Sequence, residues 1–104
     1  MKFNVKSEIL DYDGKPVKEN EKDNATWKKI IFNALNNILP DEKLTAEQKE
    51  KCYDLTARAY AREEVEYSVE EVAFILERVK RIYTPLIVGR AIQFFEGEKK
   101  KVSN

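Results

Sequence analysis

Residues 86–95 constrain the fold of this chain more than any other stretch. Seven of the ten are hydrophobic: Leu86, Ile87, Val88, Ala91, Ile92, Phe94 and Phe95. A helix that is apolar nearly all the way round must be covered by its own chain or by another. The residues before it are just as clearly patterned. Ser68-Val69-Glu70-Glu71 reads as a capping box, and Tyr67 with Val72 fits a hydrophobic staple. Val72, Ile75, Leu76, Val79, Ile82 and Tyr83 then fall on one helical face. Thr84-Pro85 caps and opens the next helix, with proline where its missing N–H is harmless. Gly89 sits inside that helix, which costs ~1 kcal/mol relative to alanine and predicts a close helix–helix approach there. Gly97 ends the helix, and residues 98–104 read as a flexible basic tail.

Two earlier helices are expected. Thr26 can cap the first. Its apolar positions are Trp27, Ile30, Ile31, Ala34, Leu35, Ile38 and Leu39, and Pro40 stops it. The second opens with the capping box Thr45-Ala46-Glu47-Gln48 and runs to about Arg62. Cys52, Leu55, Thr56, Ala59 and Tyr60 make its inner face, a thinner stripe that reads as peripheral packing. Residues 63–67 break the helical pattern and suit an extended piece.

The N-terminus has a different period. Phe3, Val5, Ser7 and Ile9 alternate with Lys2, Asn4, Lys6 and Glu8, the pattern of a half-buried strand. Asp13-Gly14 is a tight-turn signal. A short return strand follows around residues 15–18, where Pro16 confines it to an edge. An isolated hairpin is marginal in water, so this one must lean on the helices, and residues 63–67 are a piece it can pair with. Residues 19–24 contain no apolar side chain and read as a solvated linker. The fold class expected is mainly α: a four-helix small domain with an N-terminal β-hairpin. Residues 1–97 form one domain, with the hairpin over 1–18 and the helices over 26–97.

Chemistry is sparse. The chain has no histidine, which removes the commonest general base, the usual triads and most transition-metal sites. Its one cysteine, Cys52, lies on the apolar side of a helix and reads as an inert buried thiol. Gly14, Gly89 and Gly97 are too scattered for a phosphate-binding loop. Asp11-Tyr12-Asp13-Gly14 lacks the later ligands of a calcium loop. Glu63, Glu64, Glu66, Glu70 and Glu71 have no interleaved base, and the last two complement a helix dipole. The expectation is a non-enzymatic protein with no cofactor and no metal.

Charge balances overall, 19 basic against 19 acidic residues. It does not balance locally: residues 77–104 hold 7 Lys/Arg and 3 Asp/Glu. Arg78, Lys80, Arg81, Arg90, Lys99, Lys100 and Lys101 could form a basic patch. A pI near 6.4 disfavours nucleic acid as the main partner, although an accessory factor using this basic third is the alternative reading. No stretch approaches the ~20 apolar residues of a membrane span. The segment MKFNVKSEIL has no apolar signal region, so the expected location is cytoplasmic.

A chain of 104 residues supports one modest core. The fourth helix is therefore either wrapped by the rest or offered to a partner, including a second copy. The candidate interaction surface is Arg81, Arg90, Phe94, Phe95, Lys99, Lys100 and Lys101.

The DGKP turn at residues 13–16, the helix SVEEVAFILERVKR at 68–81 and the closing YTPLIVGRAIQFFEG at 83–97 together resemble a class of small proteins encoded by tailed phages and prophages. The resemblance spans residues 7–18 and 26–97. It brings no catalytic residues. It implies an accessory or regulatory factor that acts in the host cytoplasm by binding a host or phage protein.

Overall fold

The computed structural model describes residues 1–97. The element order is β1 (Lys2–Asn4), α1 (Trp27–Asn36), α2 (Ala46–Ala61), β2 (Glu64–Glu66), α3 (Val69–Ile82) and α4 (Pro85–Glu96). The four helices and the small antiparallel β element make a mainly α domain, as the periodicities require. The tail at residues 98–104, and with it Lys99, Lys100 and Lys101, lies outside the described residues.

Local signals set the starts of α2 and α3. Thr45 accepts from the Gln48 N–H at 3.1 Å, and the Gln48 side chain accepts from the Thr45 N–H at 2.9 Å. Ser68 and Glu71 repeat the arrangement at the start of α3. Two such orphan donors satisfied at once are why α2 and α3 begin where they do. Thr26 and Thr84 occupy the N-cap positions of α1 and α4, but neither side chain makes a capping hydrogen bond. Pro85 is the first residue of α4.

The N-terminal alternation appears in part: Phe3, Val5 and Ile9 are buried while Asn4, Lys6 and Glu8 are exposed, but Ser7 is exposed and the strand stops at Asn4. β1 pairs with β2, with Lys2 opposite Glu66, Phe3 opposite Val65 and Asn4 opposite Glu64. The predicted hairpin turn is present as well. The Asp11 side chain accepts from the Asp13 and Lys15 N–H groups, Gly14 takes a φ of 83°, and Leu10 bridges to Pro16.

Residues 19–24 are not a plain linker. The Asn20 side chain accepts from the Lys22 and Asp23 N–H groups, and Lys18 bridges to Asn24. The chain is thereby returned to the hairpin. The Ile9 N–H donates to Ala25, the Ala25 N–H donates to Val17, and the Val17 N–H donates to Ile9, at 3.3, 2.8 and 2.8 Å. These three bonds close a ring of backbone over the N-terminal end of α1. Lys28 and Trp27 join it by donating to Val5 and Ser7.

One core joins all these parts. It contains Phe3, Val5 and Ile9 from the N-terminal arm, Trp27, Ile31 and Leu35 from α1, and Leu55 from α2. Ile75 and Val79 from α3 and Ile87 and Phe95 from α4 complete it. Tyr67 is fully buried between β2 and α3, and its hydroxyl donates to the Leu55 carbonyl at 2.7 Å. Burial pushes its phenol up to about 12.

Three further sequence expectations need correction. α1 ends at Asn36 rather than near Leu39, and Ile38 is 50% exposed. Tyr60, assigned to the inner face of α2, is 45% exposed. Gly89 marks no close helix approach: a Cβ placed there would meet nothing within 4 Å.

Candidate functional site

The expected surface on α4 is largely interior. Phe95 is 2% exposed, and its ring sits 5.1 Å from that of Phe3 and 6.2 Å from that of Trp27. Phe94 is half-buried and stacks on Trp27 at 4.7 Å. Ile87 and Ala91 are also buried, and none of the large exposed apolar side chains lies on α4. The physical reason is the N-terminal arm, which brings Phe3 across the helix while the start of α1 supplies Trp27. Such aromatic contacts add about 0.5–1.5 kcal/mol per pair beyond area burial.

Arg78 and Arg90 are internal ties, while the Arg81 side chain stays more than half exposed. Arg90 donates from Nε to the Leu10 carbonyl at 2.8 Å and from a terminal nitrogen to the Asp11 carbonyl at 2.7 Å. It fastens α4 to the hairpin turn. Arg78 is 4% exposed and donates to the Ala34 and Asn37 carbonyls at 3.0 and 2.6 Å. It thus places positive charge at the C-terminal end of α1, where the helix dipole favours it. Arg78 also binds the Glu42 carboxylate, which is joined by Arg81 at 3.1 Å. Glu42 accepts from the Leu39 N–H too. That hydrogen bond, followed by the one from Arg78, holds the Glu42 carboxyl below its ordinary value. The helix stops three residues early where Arg78 satisfies the Ala34 and Asn37 carbonyls and the Asn36 and Asn37 side chains cap those of Phe32 and Asn33.

The acidic cluster is dispersed. Glu71 is bound by Arg58, which also reaches Asp54 at 3.2 Å and the Glu66 carbonyl at 3.1 Å. Glu64 and Glu66 lie on the outer face of the two-stranded sheet. A groove of about 410 Å³ runs beside them, lined by Lys2, Arg58, Arg62, Glu64 and Glu66. Its walls carry both signs of charge. Cys52 is buried, and burial pushes its thiol up, away from the reactive thiolate. Among the described residues, no group of three or more His, Cys, Asp or Glu side chains is placed to hold a metal ion.

The α1–α2 side is built differently. Cys52, Leu55 and Ala59 bury one face of α2 against the core. That leaves Tyr53 74% exposed and Tyr60 45% exposed, two turns apart on one stripe. Phe32, on the adjoining flank of α1, is 38% exposed and meets the Tyr60 ring edge-on at 5.9 Å. The three rings, with Asn36, Thr56 and Ala57, line a groove of about 310 Å³. The polar groups of its floor are satisfied internally. Asn36 donates to Phe32 and Thr56, and Thr56 donates to the Cys52 carbonyl. Ala57 has no bulk to fill the space above it. Lys28 sits over the Tyr60 ring at 4.8 Å, and Lys29 lies near the Phe32 ring at 5.4 Å while pairing with Glu19.

Sequence reasoning missed this groove. Its signal was present: once Cys52, Leu55 and Ala59 seat the helix, Tyr53, Ala57 and Tyr60 fall at i, i+4 and i+7 on another face.

No family model matches the chain, and neither the curated proteins nor the solved structures include a match. Among the described residues no helix is long and apolar enough to cross a membrane.

Proposed function

We propose that this protein is a small non-enzymatic docking module that binds another protein through the α1–α2 face. The observation that carries the reading is the exposure of Phe32, Tyr53 and Tyr60 around one open groove. Exposed aromatic rings on a rigid helical frame are what interfaces use as anchors, because they bury large area at small conformational cost. The fourth helix contributes by holding the frame rather than by touching the partner. The phage or prophage setting belongs to the same proposal, as an accessory factor acting on a host or phage protein.

The alternative, nucleic acid held by the basic C-terminal third, is the weaker reading, because two of its arginines, Arg78 and Arg90, are turned inward. Arg78 is held by Glu42 and backbone carbonyls and Arg90 by backbone carbonyls, while Arg81 pairs with Glu42 and stays more than half exposed. The test is paired affinity capture from cells of the native source, using the wild type and Tyr53→Ala/Tyr60→Ala, with and without nuclease. The proposal expects a stoichiometric protein that survives nuclease and disappears with the double variant. A catch that is identical for both proteins, or one that nuclease removes, refutes it.

A further inference from the structure

We infer that the outer edge of β2 is a second docking site, where an extended segment of a partner protein adds a third strand and sets a lysine or arginine beside Glu64. The site is separate from the α1–α2 face and stands on its own observations.

The first is where the main chain of β2 points. The Tyr67 N–H donates to the Met1 carbonyl at 2.9 Å and the Met1 ammonium to the Tyr67 carbonyl at 3.2 Å. The Val5 N–H donates to the Glu63 carbonyl at 3.0 Å. With Phe3 opposite Val65 between these pairs, the antiparallel alternation turns the backbone groups of Val65 towards β1 and those of Glu64 and Glu66 away from it. Arg58 shows the same direction, since it reaches the Glu66 carbonyl from α2 at 3.1 Å. Among the described residues, the Glu64 N–H and carbonyl and the Glu66 N–H have no partner. A row of unpaired donors and acceptors is what an added strand completes. A helix has already spent its own main-chain groups and completes none of them, so the occupant is extended.

The second is room. The groove of about 410 Å³ is bordered by three successive strand residues, Glu64, Val65 and Glu66, so it follows the strand rather than one side chain. Ala61 and Arg62 border it from the end of α2. The outer edge of β1 is not its equal. There the Asn4 carbonyl and side chain already accept from the Ser7 and Lys6 N–H groups.

The third is charge. A residue paired with Glu64 across the new ladder puts its side chain on the same face as Glu64, where opposite charges attract. Among the described residues, Glu64 has no cation within ion-pair distance. The cations bordering the groove do not stand in for one. Arg58 is held by Asp54 and Glu71, Lys2 lies across β2 on β1, and Arg62 precedes the strand. A second copy pairing edge to edge would set Glu64 and Glu66 against the same glutamates, which is repulsive, so the strand comes from another protein.

The test titrates the ¹⁵N-labelled full chain with an acetylated, amidated peptide of alternating lysine and threonine, followed by amide chemical shifts and hydrogen exchange. The expected result is saturable shifts at Glu64 and Glu66 and slowed exchange of both amides. The lysines are the residues whose N–H groups must face β2. N-methylation of the lysines should therefore abolish binding, and N-methylation of the threonines should leave it. Glu64→Pro removes an edge N–H that β1 does not use and should also abolish it. Glu64→Lys keeps the backbone; it should weaken binding about fivefold and transfer preference to a peptide with glutamate in place of lysine. Far-UV circular dichroism checks that both variants stay folded. Equal binding of the two N-methylated peptides, shifts confined to other residues, or no saturable shift at all overturns the inference. So does tighter binding of the glutamate peptide by the wild type. Tyr53→Ala/Tyr60→Ala should bind the lysine peptide as the wild type does. Loss of binding in that variant would place the peptide on the α1–α2 face and overturn the second site while leaving the first.

Discussion

The fourth helix and the second helix exchange roles between sequence and structure. α4 is the more apolar by far, yet it shows no large apolar side chain fully to solvent. α2 is rich in charged and polar residues and has a thin inner stripe, yet it carries the two exposed tyrosines of the candidate face. A helix's own composition says how much cover it needs. Whether it gets that cover depends on distant chain, here Phe3 and Trp27. A helix that needs little cover can spend its remaining face on something else.

The sharpest way to break this contrast is Phe95→Ala. If α4 is core, the change should remove about 3–5 kcal/mol, read as a fall in the urea midpoint at unchanged slope. A variant that keeps its stability would return α4 to the surface. The hub beneath α3 is next. Folding depresses the Glu42 carboxyl from its ordinary value of 4.5, so the charged form belongs to the folded state. Its contribution is complete above that pH and is lost as pH falls through the lower folded value. Thermal midpoints should therefore drop with acidification below pH 4.5, and Glu42→Gln should flatten that limb. An equally steep limb in the variant would assign the acid sensitivity elsewhere.

Gly89→Ala should stabilise by about 1 kcal/mol, since α4 there is helical and open. A destabilised variant, by the same denaturation curve, would show that something does press on that side of α4. The smallest effect belongs to Tyr53→Ala, within about 0.5 kcal/mol of wild type despite the size of the ring removed. A large loss of stability would mean that this tyrosine is structural after all.

Local chemistry explains which parts of this fold were legible. Both capping boxes, the Asp-Gly turn and the strand alternation depend on neighbours in sequence, and each was readable at Thr45, Ser68, Gly14 and Phe3. The early end of α1 was less so: the Asn36 and Asn37 caps there are local, but Arg78, which takes the carbonyls of Ala34 and Asn37, comes from more than forty residues away. Charge counting could not see the role of Arg90 for a related reason: it records sign, and cannot see a loop carbonyl arriving from elsewhere. The candidate groove was half legible. The spacing of Tyr53 and Tyr60 was visible, but Phe32 reaches them only after α1 and α2 pair.

The closed ring at Ile9, Val17 and Ala25 gives the molecule a natural splice site. Its three crossings are evenly spaced in sequence. The turns hung between them, around residues 11–15 and 19–23, are largely exposed and line no part of the α1–α2 groove. Lengthening an exposed turn costs little, about 0.6 kcal/mol per doubling, provided the anchoring bonds survive. The second turn meets that condition better: the first holds Arg90, whereas an insertion in the second gives up bonds within the turn, those of Asn20 among them, and spares the ones joining Ile9, Val17 and Ala25. A tag, a fluorophore-binding loop or a second domain grafted around residues 20–22 would leave the groove unencumbered.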